Sequence, residues 1–175
     1  MSQLETYLRE FDGVAVSALS EARVAFRDAE GYLDEVIALC GHEEQLLSQG
    51  ATWILKAELE DGAKLSPQQV SRVMAVLQKV TAWQAALHLC QCLDRLDLDP
   101  NQAQATIAWA SSYSGHPRPF LRAWSLHVQV MLGCRVKTAW PHVRTVLEEA
   151  EHDTAASVRA RARKLRALKQ VSAIL

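Results

Sequence analysis

The stretch SVRARARKLRAL, residues 157–168, decides how the rest of the chain reads. Val158, Ala162, Leu165 and Leu168 fall at i, i+4, i+7 and i+10, on one face of a helix. The same template slides back along the chain. FLRAWSLHVQVML (120–132) supplies Leu121, Ser125, Val128 and Met131. TAWQAALHLCQCL (81–93) supplies Ala82, Ala86, Leu89 and Cys92, and QLLSQGATWILKA (45–57) supplies Leu47, Ala51, Ile54 and Ala57. The copies start at 47, 82, 121 and 158, spaced by 35, 39 and 37 residues. A recurring spacing of this length is the mark of stacked helical units. The second template position is small in every copy (Ala51, Ala86, Ser125, Ala162), which lets two helices approach closely. Ser125 is expected to bond its hydroxyl back to a helix carbonyl as well.

Partner helices lie between these copies. Residues 66–79 begin with Ser66 as N-cap and Pro67 in the first turn, and residues 100–113 follow Asp99 as a cap. Residues 138–150 carry Thr138 as the expected cap with Pro141 in the first turn, and residues 30–40 form the first partner. Residues 2–27 are expected to form one or two leading helices broken at Asp12-Gly13. Strand signals are absent, so the chain is expected to be all-α. Its units are expected at about 30–62, 63–98, 99–134 and 135–175, after leading helices in 1–29, all within a single domain.

DTAASVRARARKLRAL (153–168) resembles the second-helix pattern of the HEAT-repeat family, with Asp153, then Val-Arg, then Ala, then Leu-x-x-Leu. GHPRPFLRAWSLHVQVML (115–132) is a looser copy. Arg122 and Arg159 occupy the family's arginine position, where the other units have Ser48 and Trp83. The resemblance covers residues 30–175 and implies a right-handed α-solenoid of about four helix pairs. Tetratricopeptide repeats have a similar period, but their aromatic and glycine signature is missing here.

Roughly half of the residues are hydrophobic, enough for a real core. No apolar run is long enough to span a membrane, and the first residues lack a basic start and apolar centre. A cytoplasmic location is therefore expected. Cys40, Cys90, Cys92 and Cys134 read as reduced and mostly buried. Cys90 and Cys92 diverge by about 160° if they share a helix, which argues against a common metal. No cofactor is expected. Charge is uneven. Residues 1–64 hold 13 acidic and 5 basic side chains, residues 154–175 hold 6 basic and no acidic ones, and the middle is nearly balanced.

His42, His116 and His152 recur at turns five or six residues before a template copy, two of them after Gly41 and Gly115. Those glycines are expected to end their helices in the left-handed conformation, each histidine interacting with the last carbonyls of that helix. No nucleophile or converging acid lies nearby, so catalysis is not expected. Trp83, Arg122 and Arg159 share one register beside the core face. Arg159, Arg163 and Arg166 form a row at i, i+4 and i+7. These five are the candidate partner-binding residues, because Trp and Arg are enriched at binding hot spots. Gly50, Ala85, Trp124 and Arg161 share another register, expected to touch the following unit, with Arg161 a solvated cap.

The function expected is a non-catalytic scaffold that binds another protein. Self-association, the basic end of one copy meeting the acidic end of another, is a related possibility. The alternative is a nucleic-acid binder, since HEAT-like repeats occur in a group of DNA glycosylases; against it, the chain is slightly acidic overall. Charge reversal at Arg159 and Arg163 is expected to weaken partner binding without unfolding the chain. Ala162→Leu should overpack the close helix contact and cost about 1–3 kcal/mol in chemical denaturation; an unchanged midpoint would show that this position is not a close-packing site.

Overall fold

The computed structural model describes residues 2–175, and among them there are helices and no strands. The chain divides into two compact units, Met1–Leu96 and Asp97–Leu175.

The first unit contains α1 (Gln3–Leu8), α2 (Val16–Phe26), α3 (Tyr32–Cys40), α4 (Gln45–Glu60), α5 (Pro67–Leu77) and α6 (Trp83–Cys90). The leading segment breaks where expected. Asp12 Oδ1 accepts the N–H groups of Val14 (2.8 Å) and Ala15 (2.7 Å), and Gly13 takes a positive φ of 83°. Helix α4 lies at the centre, packed against α1, α2, α3 and α6, while α3 also packs against α5. The α3–α5 contact is crossed by Asp34, which accepts from Gln69 Nε2 at 3.2 Å and pairs with Arg72. A buried carboxylate ties the leading helices down. Glu58 on α4 takes the Arg23 Nε–H (2.9 Å) and the Tyr32 hydroxyl (3.1 Å), and Arg23 also reaches Asp61 at 2.6 Å. These charge-assisted bonds raise the Arg23 pKa, Glu58 contributing most, and burial raises that of Tyr32.

The second unit contains α7 (Pro100–Ser111), α8 (Pro119–Gly133), α9 (Trp140–Glu151), α10 (Ala156–Arg166) and the short α11 (Lys169–Ser172). Helix α8 is central here, packed against α7, α9 and α10. Gly133 sits where a Cβ would come within 2.4 Å of the Val143 side chain, so α8 and α9 touch almost backbone to side chain. Val171 and Ile174, beyond the last template copy, complete the core of this unit.

The small second position of the template is buried in every copy: Ala51, Ser125 and Ala162 are at 0% exposure and Ala86 at 1%. Capping is as expected at Ser66 and Asp99, each forming a capping box with a glutamine three residues on.

Several local expectations are corrected. Thr138 does not cap α9. It lies in a 3-10 turn (Lys137–Ala139), and its hydroxyl accepts from Gln104 Nε2 at 3.0 Å. Gly41 and Gly115 are not left-handed; the positive-φ glycines are Gly13, Gly31 and Gly62. Helix α6 stops at Cys90, so Cys92 lies just beyond it rather than on it, although both thiols are buried. Leu168 leaves the core face and is 36% exposed as the N-cap of α11. The Ser125 hydroxyl donates not to a carbonyl of its own helix but across to the Ala110 carbonyl of α7, at 2.7 Å.

His88 in α6 is half-buried with Nδ1 3.2 Å from the Thr52 hydroxyl. Burial, helped by nearby Lys56, pushes its pKa from 6.5 to about 4. Below pH 6.5 the unfolded chain therefore takes up a proton that the folded chain refuses, and stability falls as the pH drops towards about 4. His88→Gln is expected to lose less stability than the wild type across that window, by up to about 3 kcal/mol, in denaturation curves recorded at a series of pH values. Parallel pH profiles for the two proteins would contradict it.

Candidate functional site

The candidate arginines on α8 and α10 begin with a recurrent way of closing a turn. His42, His116 and Asp153 each stand five residues before a template copy. In each case the side chain accepts the N–H of the residue two places on, which is the N-cap of the next helix. His42 Nδ1 takes the Glu44 N–H at 3.0 Å, His116 Nδ1 takes the Arg118 N–H at 3.2 Å, and Asp153 Oδ1 takes the Ala155 N–H at 2.7 Å. Two of the histidines thus point forward to the next helix, not back to the last carbonyls as expected. His152 alone faces back, its Nδ1 3.0 Å from the Glu148 carbonyl.

Arg122 and Arg159 clamp the same residues from the other side. Arg122 Nη1 donates to the His116 carbonyl at 2.8 Å, and Arg159 Nη1 donates to the Asp153 carbonyl at 2.7 Å and to the Thr154 carbonyl at 2.9 Å. In the first unit Ser48 holds this register, and its hydroxyl donates to the Cys40 carbonyl at the end of α3, at 2.6 Å. Ser48, Arg122 and Arg159 in this register therefore satisfy the backbone of the turn, where helix ends leave carbonyls without internal partners.

Arg122 has a second task. Its Nε and Nη2 grip both oxygens of Asp153 at 3.0 and 2.7 Å, a two-pronged pair with only 13% and 17% of the side chains exposed. Arg122 holds the Asp153 carboxyl below its ordinary range, and Asp153 raises the guanidinium in return. One carboxylate thus joins the start of α8 to the turn before α10. Arg159 is half-buried, so its charge reversal is not the harmless surface change expected above.

The remaining candidates divide. Arg166 lies 2.5 Å from Glu151 Oε1, with its Nε–H turned off the line of a hydrogen bond, so the contact is an ion pair. Arg163 is exposed, as are its neighbours Lys164 and Lys169. Trp83, the fifth candidate, is half-buried as the first residue of α6 in the first unit. Arg161 is not a solvated cap: its guanidinium lies 3.9 Å above the Trp124 ring, and desolvation lowers its pKa. The Trp124 indole N–H is itself buried with no hydrogen-bond partner among the described residues. Gly50, in the same register, faces back to Leu8, Phe11 and Leu19 of the leading helices rather than forward.

Between α8 and α9 lies a cleft of about 90 Å³ reached by Arg122, Asp153, Glu149 and Gln129. Gln129 is 1% exposed. Its amide donates to Ser125 (2.9 Å) and Ser114 (3.2 Å) and accepts from Ser111 (2.9 Å) and His142 (2.9 Å). The network is occupied with itself. Its serines face the glutamine rather than the histidine, so it forms no nucleophile–base pair. Among the described residues no cluster of His, Cys, Asp and Glu is placed to hold a metal.

The pairing of Asp153 with Arg122 and the stacking of Arg161 on Trp124 were not expected from the sequence. The one signal was that each pair comes from neighbouring template copies. Comparison with protein-family models, curated proteins and solved structures gives no match.

Arg122→Ala is expected to destabilise the chain by about 1–3 kcal/mol, because it leaves a largely buried carboxylate and a turn carbonyl without their donor. Arg122→Lys should recover only part of that loss, since one ammonium cannot make the fork. Full recovery with Lys, measured by urea denaturation, would show that charge alone matters.

Proposed function

We propose that this chain is a non-catalytic scaffold of HEAT-like helix pairs, stacked as a right-handed solenoid, that binds an acidic protein surface in the cytoplasm. The observation that carries this reading is the exposed cationic face of α10. Arg163 and Lys164 stand in solvent on a helix whose other side is core. The neighbouring Arg159 and Arg166 are held by the turn and by Glu151, so this face is preorganised. The contacts of α4 with α3 and α6, and of α8 with α7 and α10, support this reading. The self-satisfied Gln129 network and the small cleft support a binding role over a catalytic one.

The test is a pull-down with the tagged protein at low salt, with and without nuclease, beside an Arg163→Glu/Lys164→Glu variant of matched stability. A discrete protein partner that survives nuclease and is at least about tenfold depleted by the variant is the expected outcome. Partners that vanish with nuclease would replace this reading with nucleic-acid binding, which phosphate contacts would make steeply salt-dependent.

A further inference from the structure

The two units carry opposite charge. Met1–Leu96 holds 14 acidic and 8 basic side chains, a net of −6, whereas Asp97–Leu175 holds 6 acidic and 11 basic ones, a net of +5. Exposed apolar side chains fall into the same division. On the first unit Val14 is 79% exposed, Val16 45% and Leu46 48%. The segment carrying Val14 is held against the start of α4. Gln49 Nε2 donates to the Gly13 carbonyl at 3.1 Å, a Cβ at Gly13 would lie 3.0 Å from Leu46, and Arg9 pairs with Glu44 at 2.5 Å. The three apolar side chains thus share a surface with exposed Glu10, Asp12 and Glu43. Arg9, beside it, is taken up by Glu44 and Glu5.

The second unit has the reverse. Leu168 is 36% and Leu175 46% exposed, beside exposed Lys164 and Lys169, and no acidic residue occurs between 154 and 175. This segment is a firm surface. Val171 and Ile174 are buried in the core of the unit, and Arg144 Nε donates to the Ile174 carbonyl at 2.7 Å.

We propose that the occupant of each patch is the other patch on a second copy of this chain. The acidic surface around Val14 and Leu46 receives the basic surface around Leu168, giving a head-to-tail association. Each patch joins a small apolar centre to charges of one sign, and the signs are opposite, so like patches repel and unlike ones attract. The contact is heterologous, with each copy offering one patch and keeping the other available. This inference rests on the reading of the chain as a binding scaffold and names the acidic surface that α10 would meet.

The test uses the purified chain alone, by sedimentation velocity over a range of concentrations. Concentration-dependent association is expected, about tenfold weaker at roughly 0.5 M salt than at roughly 0.05 M. Glu10→Lys/Glu43→Lys and Lys164→Glu/Lys169→Glu should each be monomeric, with unchanged thermal unfolding because all four positions are exposed. Mixing the two variants should restore association, since each then offers a complementary patch to the other. A wild-type chain that stays monomeric at about 100 μM in low salt, or variants that associate like the wild type, or a mixture that stays monomeric, would overturn the proposal. A monomeric wild type that still captures a foreign protein in the nuclease-treated pull-down would sink self-association and leave the scaffold reading intact.

Discussion

Wherever two helices of this chain meet through a short turn, the last carbonyls of one and the first N–H groups of the next must find partners outside their own helices. The rest of the structure depends on how that requirement is met. His42, His116 and Asp153 each present an acceptor to the N-cap of the following helix. From the second helix, Arg122 and Arg159 return to the carbonyl of that same turn residue, while Ser48 and Ser125 reach the closing carbonyls of α3 and α7. Turns satisfied in this way fix the angle of each pair, and only at a fixed angle can the small residues Ala51, Ser125 and Ala162 be buried completely.

The same economy changes what the basic residues can do. By composition the second unit presents eleven cations. In the structure Arg122 is held by Asp153, Arg159 by backbone carbonyls, Arg166 by Glu151 and Arg161 by the face of Trp124. What remains for a partner around α10 is Arg163 with Lys164 and Lys169, a narrower surface than the row of arginines suggests. The proposed acidic protein partner needs only a surface of this size, whereas a long nucleic-acid track needs cations along a whole face.

Two networks around buried polar side chains join separate helices. Glu58 with Arg23 and Tyr32 fastens the leading helices to α4. Gln129 with its serines and His142 fastens α7, α8 and α9 together. Breaking one member leaves the others buried and unsatisfied, so each set enforces one arrangement of its helices more than it adds net stability.

The sequence by itself determined the helical class, the recurrence of the buried face and the beginnings of several helices. Those properties are local: the i, i+4, i+7 spacing, the caps at Ser66 and Asp99, and the Asp12-Gly13 break act within a few residues. Tertiary structure alone decided that Asp153, not His152, is the counterpart of His42 and His116, that Gly50 receives the leading helices, and that α6 stops at Cys90. It also decided which candidate residues remain available. Trp83, Arg122, Arg159, Arg163 and Arg166 look alike by their place beside the core face, yet a long side chain takes whichever partner the fold brings within reach. That choice rests on contacts between residues some thirty positions apart, such as Arg122 and Asp153, which no spacing along one helix encodes.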